Sequence, residues 1–130
     1  MKTRIQIVTI KGVVCRENKV LLLKDQAGRW ELPGGRIEFG EAPQESLARE
    51  FQEELGVSEI EMGEVLDVWT FTVSRENIEK QFIVAVYSCQ FEGEKIKKSF
   101  EHTEVGWFAL EEVDNLNMRE GYKKAIAKVL

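Results

Sequence analysis

The sequence predicts an α+β fold in which a mixed β-sheet packs between helices. Segments rich in β-branched and aromatic residues lie both before and after a central stretch, residues 43–55, that has helical periodicity. A second amphipathic segment, residues 120–130, predicts a helix at the end of the chain. A length of 130 residues and a hydrophobic fraction of 43% favour one domain, residues 1–130, with its own core.

The charge balance and the cysteines limit the partners and the compartment. A formal net charge of −5 at pH 7 argues against non-specific binding to nucleic acid or to a membrane surface. Cys15 and Cys89 lie far apart in apolar segments, which favours buried free thiols over a disulfide. The sequence shows neither a signal peptide nor an apolar run long enough to span a bilayer, so we predict a cytoplasmic protein.

The first part of the chain predicts a β-hairpin. Residues 5–14 alternate and then become apolar, and the polar residues 16–19 lead into the apolar residues 20–23. A polar loop, residues 24–29, precedes Trp30. Further strands are predicted for residues 65–73, for residues 82–91 after the polar stretch 74–79, and for the end of residues 99–108, with a helix start in residues 110–116.

The central helix has two distinct faces. Pro43 suits the first helical position, no glycine or β-branched residue follows it, and Gly56 supplies a favourable C-terminal cap. At about 100° per residue, one arc is apolar and the neighbouring arc is acidic. The apolar arc contains Leu47, Ala48, Phe51 and Leu55, and the acidic arc contains Glu50, Glu53 and Glu54.

Three glutamates on one helix face are most often a solvated surface. Residues 38–64, however, contain nine glutamates and a single basic residue, Arg49. Because Glu50 and Glu54 repel each other at a spacing of four residues, we expect a cation to offset their charge. Oxygen ligands of this kind suit Mg²⁺ or Mn²⁺. Before the helix, Pro33, Gly34 and Gly35 predict a sharp turn that a ligand or metal can approach.

Residues 35–57 match the pattern G-x5-E-x7-R-E-U-x-E-E-x-G-U, where U is a bulky aliphatic residue. Phe51 is the one loose position, since it is bulky but aromatic. A chance match at a given start has a probability on the order of 10⁻⁸. Through this box the chain resembles the MutT-like Nudix hydrolases over nearly its full length. The fixed positions are Gly35, Glu41, Arg49, Glu50, Glu53, Glu54 and Gly56.

The resemblance implies an α/β/α sandwich and metal-dependent hydrolysis of a nucleoside diphosphate derivative. It assigns metal ligation to Glu50, Glu53, Glu54 and the Gly34 carbonyl, and it adds Glu101 on a later loop, with Glu104 as the alternative. Catalytic roles fall on Glu50, Glu53 and Arg49, with Arg49 interpreted as the support of a catalytic glutamate. The general base stays open among Glu50, Glu53 and the loop carboxylates. Arg36 and Gly35 are expected near the substrate phosphates.

Several residues receive a structural interpretation. Glu41 is expected to fix the shape of the loop before the helix, and His102 to form hydrogen bonds in its loop rather than to act in chemistry. Trp69, Phe71, Phe82 and Tyr87 are interpreted as core or cleft wall, with stacking on a nucleobase as the alternative.

The substrate is only weakly constrained by the sequence. Neither a proline nor a tyrosine stands at the positions beyond the box where some ADP-ribose or dinucleoside polyphosphate hydrolases of the family carry one, which favours a nucleoside triphosphate cleaved to the monophosphate and pyrophosphate. The asparagine that reads oxidised guanine in MutT has no counterpart in register, since Tyr122 is nearer to that place than Asn115 or Asn117. The alternatives are a hydrolase of ADP-ribose or nucleotide sugars and a non-catalytic nucleotide-binding module. Homodimers are common in the family.

Overall fold

Two four-stranded β-sheets and three helices form the part of the chain that the computed structural model describes, residues 1–93, 95–97, 99 and 101–130. The strands are β1 (Thr3–Val13), β2 (Cys15–Arg16), β3 (Lys19–Asp25), β4 (Trp30–Glu31), β5 (Gly34–Arg36), β6 (Glu61–Arg75), β7 (Ile78–Gln90) and β8 (His102–Ala109). The helices are α1 (Pro43–Leu55), α2 (Leu110–Val113) and α3 (Glu120–Ala127).

The first sheet is mixed, as the sequence predicts. Its strand order is β5-β1-β7-β6, in which β1 runs parallel to β7 and the other pairs are antiparallel. In the second sheet, β3 pairs antiparallel with β2, β4 and β8. Phe100, within the predicted loop before β8, lies outside the described residues.

Helix α1 begins and ends where the sequence predicts. Pro43 is its first residue, and Gly56 closes it with a left-handed φ of 71°. At the N-terminus, the Glu45 carboxylate accepts a hydrogen bond of 2.8 Å from the Ala42 amide. The apolar arc is buried against the sheets, and burying one such leucine or phenylalanine contributes about 1.5–3 kcal/mol.

Apolar side chains form two core clusters on opposite sides of the sheets. One cluster joins Phe51 of α1 to Ile10 and Val14, and the other joins Ile126 of α3 to Val13 and neighbouring strand residues. Val13, the last residue of β1, and the adjacent Val14 therefore belong to different cores, as the alternation of an extended chain requires. Helix α1 covers one side and α3 the other, which confirms the predicted α/β/α sandwich.

Two local predictions are wrong in extent. The hairpin predicted from residues 5–14 and 20–23 is confined to its turn, where β2 pairs with β3 and the Leu21 amide donates to the Val14 carbonyl, because β1 pairs with β5 and β7 instead. The continuous burial at the end of β1 needs sheet neighbours on both edges, which distant strands supply. The polar stretch 74–79 is mostly strand, since β6 and β7 leave only Glu76 and Asn77 as the turn.

Both cysteines are free thiols, as the sequence predicts. None of the helices among the described residues is long and apolar enough to cross a bilayer.

Candidate active site

Gly34 begins the short strand β5, which pairs with β1 before the chain enters α1, and we call residues 33–36 the glycine loop. Gly34 has a φ of 127°, and an added Cβ would lie 2.1 Å from the carbonyl oxygen of Ile10, so only glycine fits. The Gly34 amide then donates a hydrogen bond of 2.8 Å to Oε1 of Glu54. The loop and the helix are thereby fixed to each other at a box carboxylate.

Gly35 supports a second box carboxylate. A Cβ at this position would lie 2.7 Å from Cδ of Glu50, so the Glu50 carboxylate rests on the bare backbone of Gly35. Burial raises the pKa of Glu50, although its hydrogen bond from Arg49 works in the other direction. A side chain at residue 35 would displace this carboxylate.

Glu53 and Glu54 are adjacent in sequence but differ in environment. Glu53 is exposed, whereas Glu54 is only 5% exposed. Burial raises the pKa of Glu54 to about 7, although the charge of Lys11 opposes this shift. The acidic face of α1 therefore contains one solvated carboxylate and one buried carboxylate that ionises near neutral pH.

Arg49 connects the loop to the helix. Its guanidinium donates to both oxygens of Glu41, at 2.7 and 3.0 Å, and to Glu50 at 3.0 Å. It also donates to the carbonyl of Arg36 at 3.1 Å. The hydrogen bonds from Arg49 and from the Glu38 amide hold the pKa of Glu41 at about 2. These contacts support the structural interpretation of Arg49 and of Glu41.

Lys11 is a central residue that the sequence analysis missed. Its ammonium is buried in β1 and donates to the carbonyl oxygens of Leu32 and Gly34, both at 3.0 Å. It also lies 3.6 Å from Oε1 of Glu31. Burial alone would lower the pKa of Lys11, but the negative charges of Glu31 and Glu54 outweigh it and raise the pKa. The sequence did contain a signal for Lys11, because a lysine within an apolar strand is expected to be buried and paired with an acceptor or an anion.

His102 is also buried in this region, where the sequence analysis expected only a loop role. Its Nε2 lies 3.2 Å from Oε1 of Glu31 and 3.8 Å from Oε2 of Glu54, and Nδ1 lies 3.3 Å from the Ser99 hydroxyl. Burial lowers the pKa of His102, but the two carboxylates outweigh it and raise the pKa. We refer to Lys11, Glu31, Glu54 and His102 as the buried polar network.

The remaining site residues of the sequence analysis lie at the surface. Glu101 is exposed immediately before β8, and Glu104 forms an ion pair of 3.0 Å with Lys24. Arg36 is exposed at the end of β5. Asn115 donates to the carbonyl of Glu111, and Asn117 to that of Gly28.

One group of side chains has the spacing of metal ligands. Glu31, Glu54 and His102 offer ligand atoms within 4.8 Å of one another, and within the described part of the chain this is the one group of three with such spacing. Glu50 and Glu53 lie on the same helix as Glu54. Burial raises the pKa values of Glu50 and Glu54, and Lys11 is the buried counter-charge beside them.

A cleft with a volume of about 500 Å³ adjoins the buried polar network, because Lys11 and Glu31 line it as well. We call it the basic cleft. Phe71 and Phe82 stack in its wall with ring centroids 4.8 Å apart, whereas Trp69 packs behind them against Gly121. Its cationic side chains are Arg29, Arg75, Lys80 and Arg119 in addition to Lys11.

A family model described as the NUDIX domain matches residues 6–129. The chain belongs to the Nudix family. It is 36% identical over 117 residues to a MutT-like protein of Streptomyces ambofaciens, covering 88% of this chain and 71% of that protein. It is 31% identical over 122 residues to the uncharacterized Nudix hydrolase YvcI of Bacillus subtilis, covering 92% and 75% of the two chains. The protein is accordingly a Nudix hydrolase.

Solved structures and shorter alignments extend the Nudix comparison. The MutT protein of Methanosarcina mazei Go1 superimposes with a TM-score of 0.83 over 98% of this chain and 95% of that one, and at 24% identity it supports the fold alone. A putative 8-oxo-dGTP diphosphatase of Mycobacterium tuberculosis is 42% identical over 55 residues, covering 38% of this chain and 39% of that protein. An ADP-ribose pyrophosphatase of Methanocaldococcus jannaschii is 39% identical over 54 residues, covering 38% and 32%.

Proposed function

We propose that the protein is a cytoplasmic pyrophosphohydrolase that uses Mg²⁺ or Mn²⁺ to cleave a (deoxy)nucleoside triphosphate into the monophosphate and pyrophosphate. One observation carries the proposal. The box carboxylates of α1 meet the glycine loop at Gly34 and Gly35, and the adjoining basic cleft is large enough for a nucleoside. The small-molecule nucleotide is the partner, and a homodimer is the assembly to test by light scattering.

The proposed ligand set follows the family pattern. Glu50, Glu53, Glu54, the Gly34 carbonyl and Glu101 would hold the cation, and the position of His102 and Glu31 beside Glu54 adds a second group of donors. A bound divalent cation neutralises phosphate charge and makes a water molecule easier to deprotonate. The exposed Arg36, at the end of the glycine loop, is proposed to contact the outer phosphates together with the Gly35 backbone.

Glu50 is the preferred general base, and Glu53 is the alternative. Glu50 is half-buried, rests on Gly35 and is held by Arg49, so its carboxylate is fixed in orientation. Its raised pKa brings it nearer to the value at which a carboxylate accepts a proton efficiently. Glu53 is solvated and held less tightly, since its contact with Arg49 is 3.5 Å.

A hydrolase of ADP-ribose is the second candidate, because the archaeal ADP-ribose pyrophosphatase aligns over 54 residues. A non-catalytic binding module is disfavoured by the complete set of box carboxylates, since a module that only binds has no need of them.

Pyrophosphate and phosphate release from nucleoside triphosphates, ADP-ribose, nucleotide sugars and dinucleoside polyphosphates tests these alternatives, first with Mg²⁺ and then with EDTA. Glu53→Gln and Glu54→Gln should each lower kcat by at least about 10²-fold. Glu59→Gln, an exposed residue just after the box, is the matched control and should keep the normal rate. Normal rates in both box variants would contradict the ligand assignment, and tight binding without turnover would favour the non-catalytic module.

A further inference from the structure

The basic cleft is lined by five cationic and three acidic side chains, an excess of positive charge in a protein with a net charge of −5. Within the described part of the chain, the side chains of Arg29, Arg75, Lys80 and Arg119 form no ion pair or hydrogen bond, and the Arg119 guanidinium lies over the Phe71 ring. An anionic or acceptor-rich ligand is the natural complement of such a surface.

Three carboxylates also line the cleft, those of Asp25, Glu31 and Glu76, and among the described residues none of them forms an ion pair with these four cations. Asp25 accepts hydrogen bonds of 2.9 Å from the backbone amides of Ala27 and Arg29, which shape the loop before Trp30. Glu31 is engaged by Lys11 and His102 in the buried polar network. The cleft therefore offers a ligand mainly hydrogen-bond donors.

Arg119 is the donor whose position is best defined. Its guanidinium lies 3.8 Å from the ring centroid of Phe71, which in turn stacks on Phe82 with an angle of 13° between the ring planes. The backbone before Arg119 is fixed by a hydrogen bond of 2.9 Å from the Trp30 amide to the Asn117 carbonyl. Burial and the nearby charge of Arg29 lower the pKa of Arg119, but an arginine stays protonated at neutral pH.

Neutral amide groups are absent from the cleft wall. Of the described residues that line it, none is asparagine or glutamine. Asn117, two residues before Arg119, instead donates to the Gly28 carbonyl at 3.4 Å. A base in this cleft would therefore meet a fixed pair of guanidinium donors rather than an amide with both a donor and an acceptor.

We propose that Arg119 is the specificity-determining residue of the basic cleft and that it selects a guanine nucleotide. This inference rests on the proposed function, in that it treats the basic cleft as the nucleoside site. Guanine presents two adjacent acceptors, O6 and N7, which match the paired N–H groups of a guanidinium. Adenine presents a donor at N6 beside N7 and is rejected, and 8-oxoguanine carries a hydrogen on N7 and loses one acceptor. The aromatic wall adds stacking that does not distinguish among the bases.

Binding of the monophosphates tests the inference without any turnover. Calorimetry in EDTA compares GMP, AMP and 7-deaza-GMP, which carry the same charge and differ only at the base. We expect GMP to bind at least about 10-fold more tightly than either of the others. In Arg119→Gln, this ratio of GMP to AMP affinity should fall to one or reverse, because glutamine pairs with N6 and N7 of adenine.

Arg4→Gln is the matched control, since the Arg4 side chain is 84% exposed and pairs with Glu79 at the surface. It should keep the wild-type preference. Equal binding of GMP and AMP by the wild-type protein would overturn the inference. An equal loss of both affinities in Arg119→Gln would also overturn it, since Arg119 would then contact phosphate and not the base.

The two proposals fail in different ways. A GMP preference that depends on Arg119, in a protein without metal-dependent turnover, would retain the inference and remove the proposed hydrolase activity. Turnover of nucleoside triphosphates with equal kcat/KM for dGTP and dATP would retain the activity and overturn the inference.

Discussion

The buried polar network and the basic cleft share Lys11 and Glu31 but balance their charges in opposite ways. In the network, Lys11 is surrounded by carbonyl and carboxylate oxygens, and His102 lies between two carboxylates. In the cleft, four further cations line the wall without an acidic partner among the described residues. The paired charges of the network stabilise the fold, whereas the unpaired cations of the cleft are available to a ligand. The difference separates residues that position the site from residues that recognise the substrate.

The largest effect is expected when the cation of the buried polar network, the Lys11 ammonium, is removed. Lys11→Met leaves two carbonyls and Glu31 without their positive partner, so the free energy of unfolding should fall by about 3–4 kcal/mol. Lys80→Met removes an unpaired cation of the cleft and should change it by less than about 0.5 kcal/mol. Urea denaturation of both variants in EDTA measures the difference. Similar small changes in the two would show that charge pairing does not hold the network.

The next effect uses pH to test Glu54, the buried carboxyl group of the network. Folding raises the pKa of Glu54 from 4.5 to about 7, so the folded protein binds more protons than the unfolded chain between these values. Stability of the metal-free protein should therefore fall as pH rises from about 4.5 to 7, by roughly 2–3 kcal/mol.

His102 acts in the same direction as Glu54. Its pKa is raised by folding, so its contribution to stability is complete below 6.5 and is lost as pH rises through its folded value. Thermal denaturation in EDTA across this range measures the slope, and Glu54→Gln should flatten it. An equally steep fall in Glu54→Gln would exclude Glu54 as the titrating group.

The smallest effect concerns the backbone that supports Glu50. Gly35→Ala places a methyl group against the Glu50 carboxylate and should lower kcat about 10-fold while the protein stays folded. Gly63→Ala, where the added Cβ meets only Ser88, is the control and should leave kcat unchanged. Steady-state kinetics together with melting temperatures distinguish a displaced carboxylate from a general loss of stability, and an unchanged kcat in Gly35→Ala would mean that Glu50 does not need its present position.

Helix α1 and the basic cleft differ in how much of their structure could be predicted from the sequence. Helix α1, its cap at Gly56 and its buried arc were predictable because all the necessary spacings lie within one short segment. The basic cleft is lined by residues of β1, the loop before β4, the β6–β7 hairpin and the start of α3. Because these segments are far apart in the sequence, no local spacing predicts that they lie together. The hairpin assigned to residues 5–14 was wrong in extent for the same reason, since the partner of β1 lies far along the chain.

At the start of β8, the family pattern and the structure point to two different residues that are adjacent in sequence, Glu101 and His102. The family pattern favours Glu101 as a metal ligand, which stays a prediction, while the structure directs His102 toward Glu31 and Glu54. Pairing of His102 with Asp25 across the β3–β8 irregularity fixes this orientation, and the sequence contains no sign of that bulge. Lys11, in contrast, was detectable as an isolated charge in an apolar strand.

The parallel pairing of β1 with β7 has a consequence for the order of folding. Thr3 pairs with Ile78 and Val13 with Ser88, so each contact closes a loop of 75 residues. During synthesis, the N-terminal strand stays without its main partner until more than half of the chain has been made, whereas α1 can form from local contacts alone. Lys11 lies on that strand, but it also pairs with Gly34 of β5, only 23 residues away. The contact between the buried cation and the glycines before α1 therefore needs a much shorter closure than the completion of the sheet by β7.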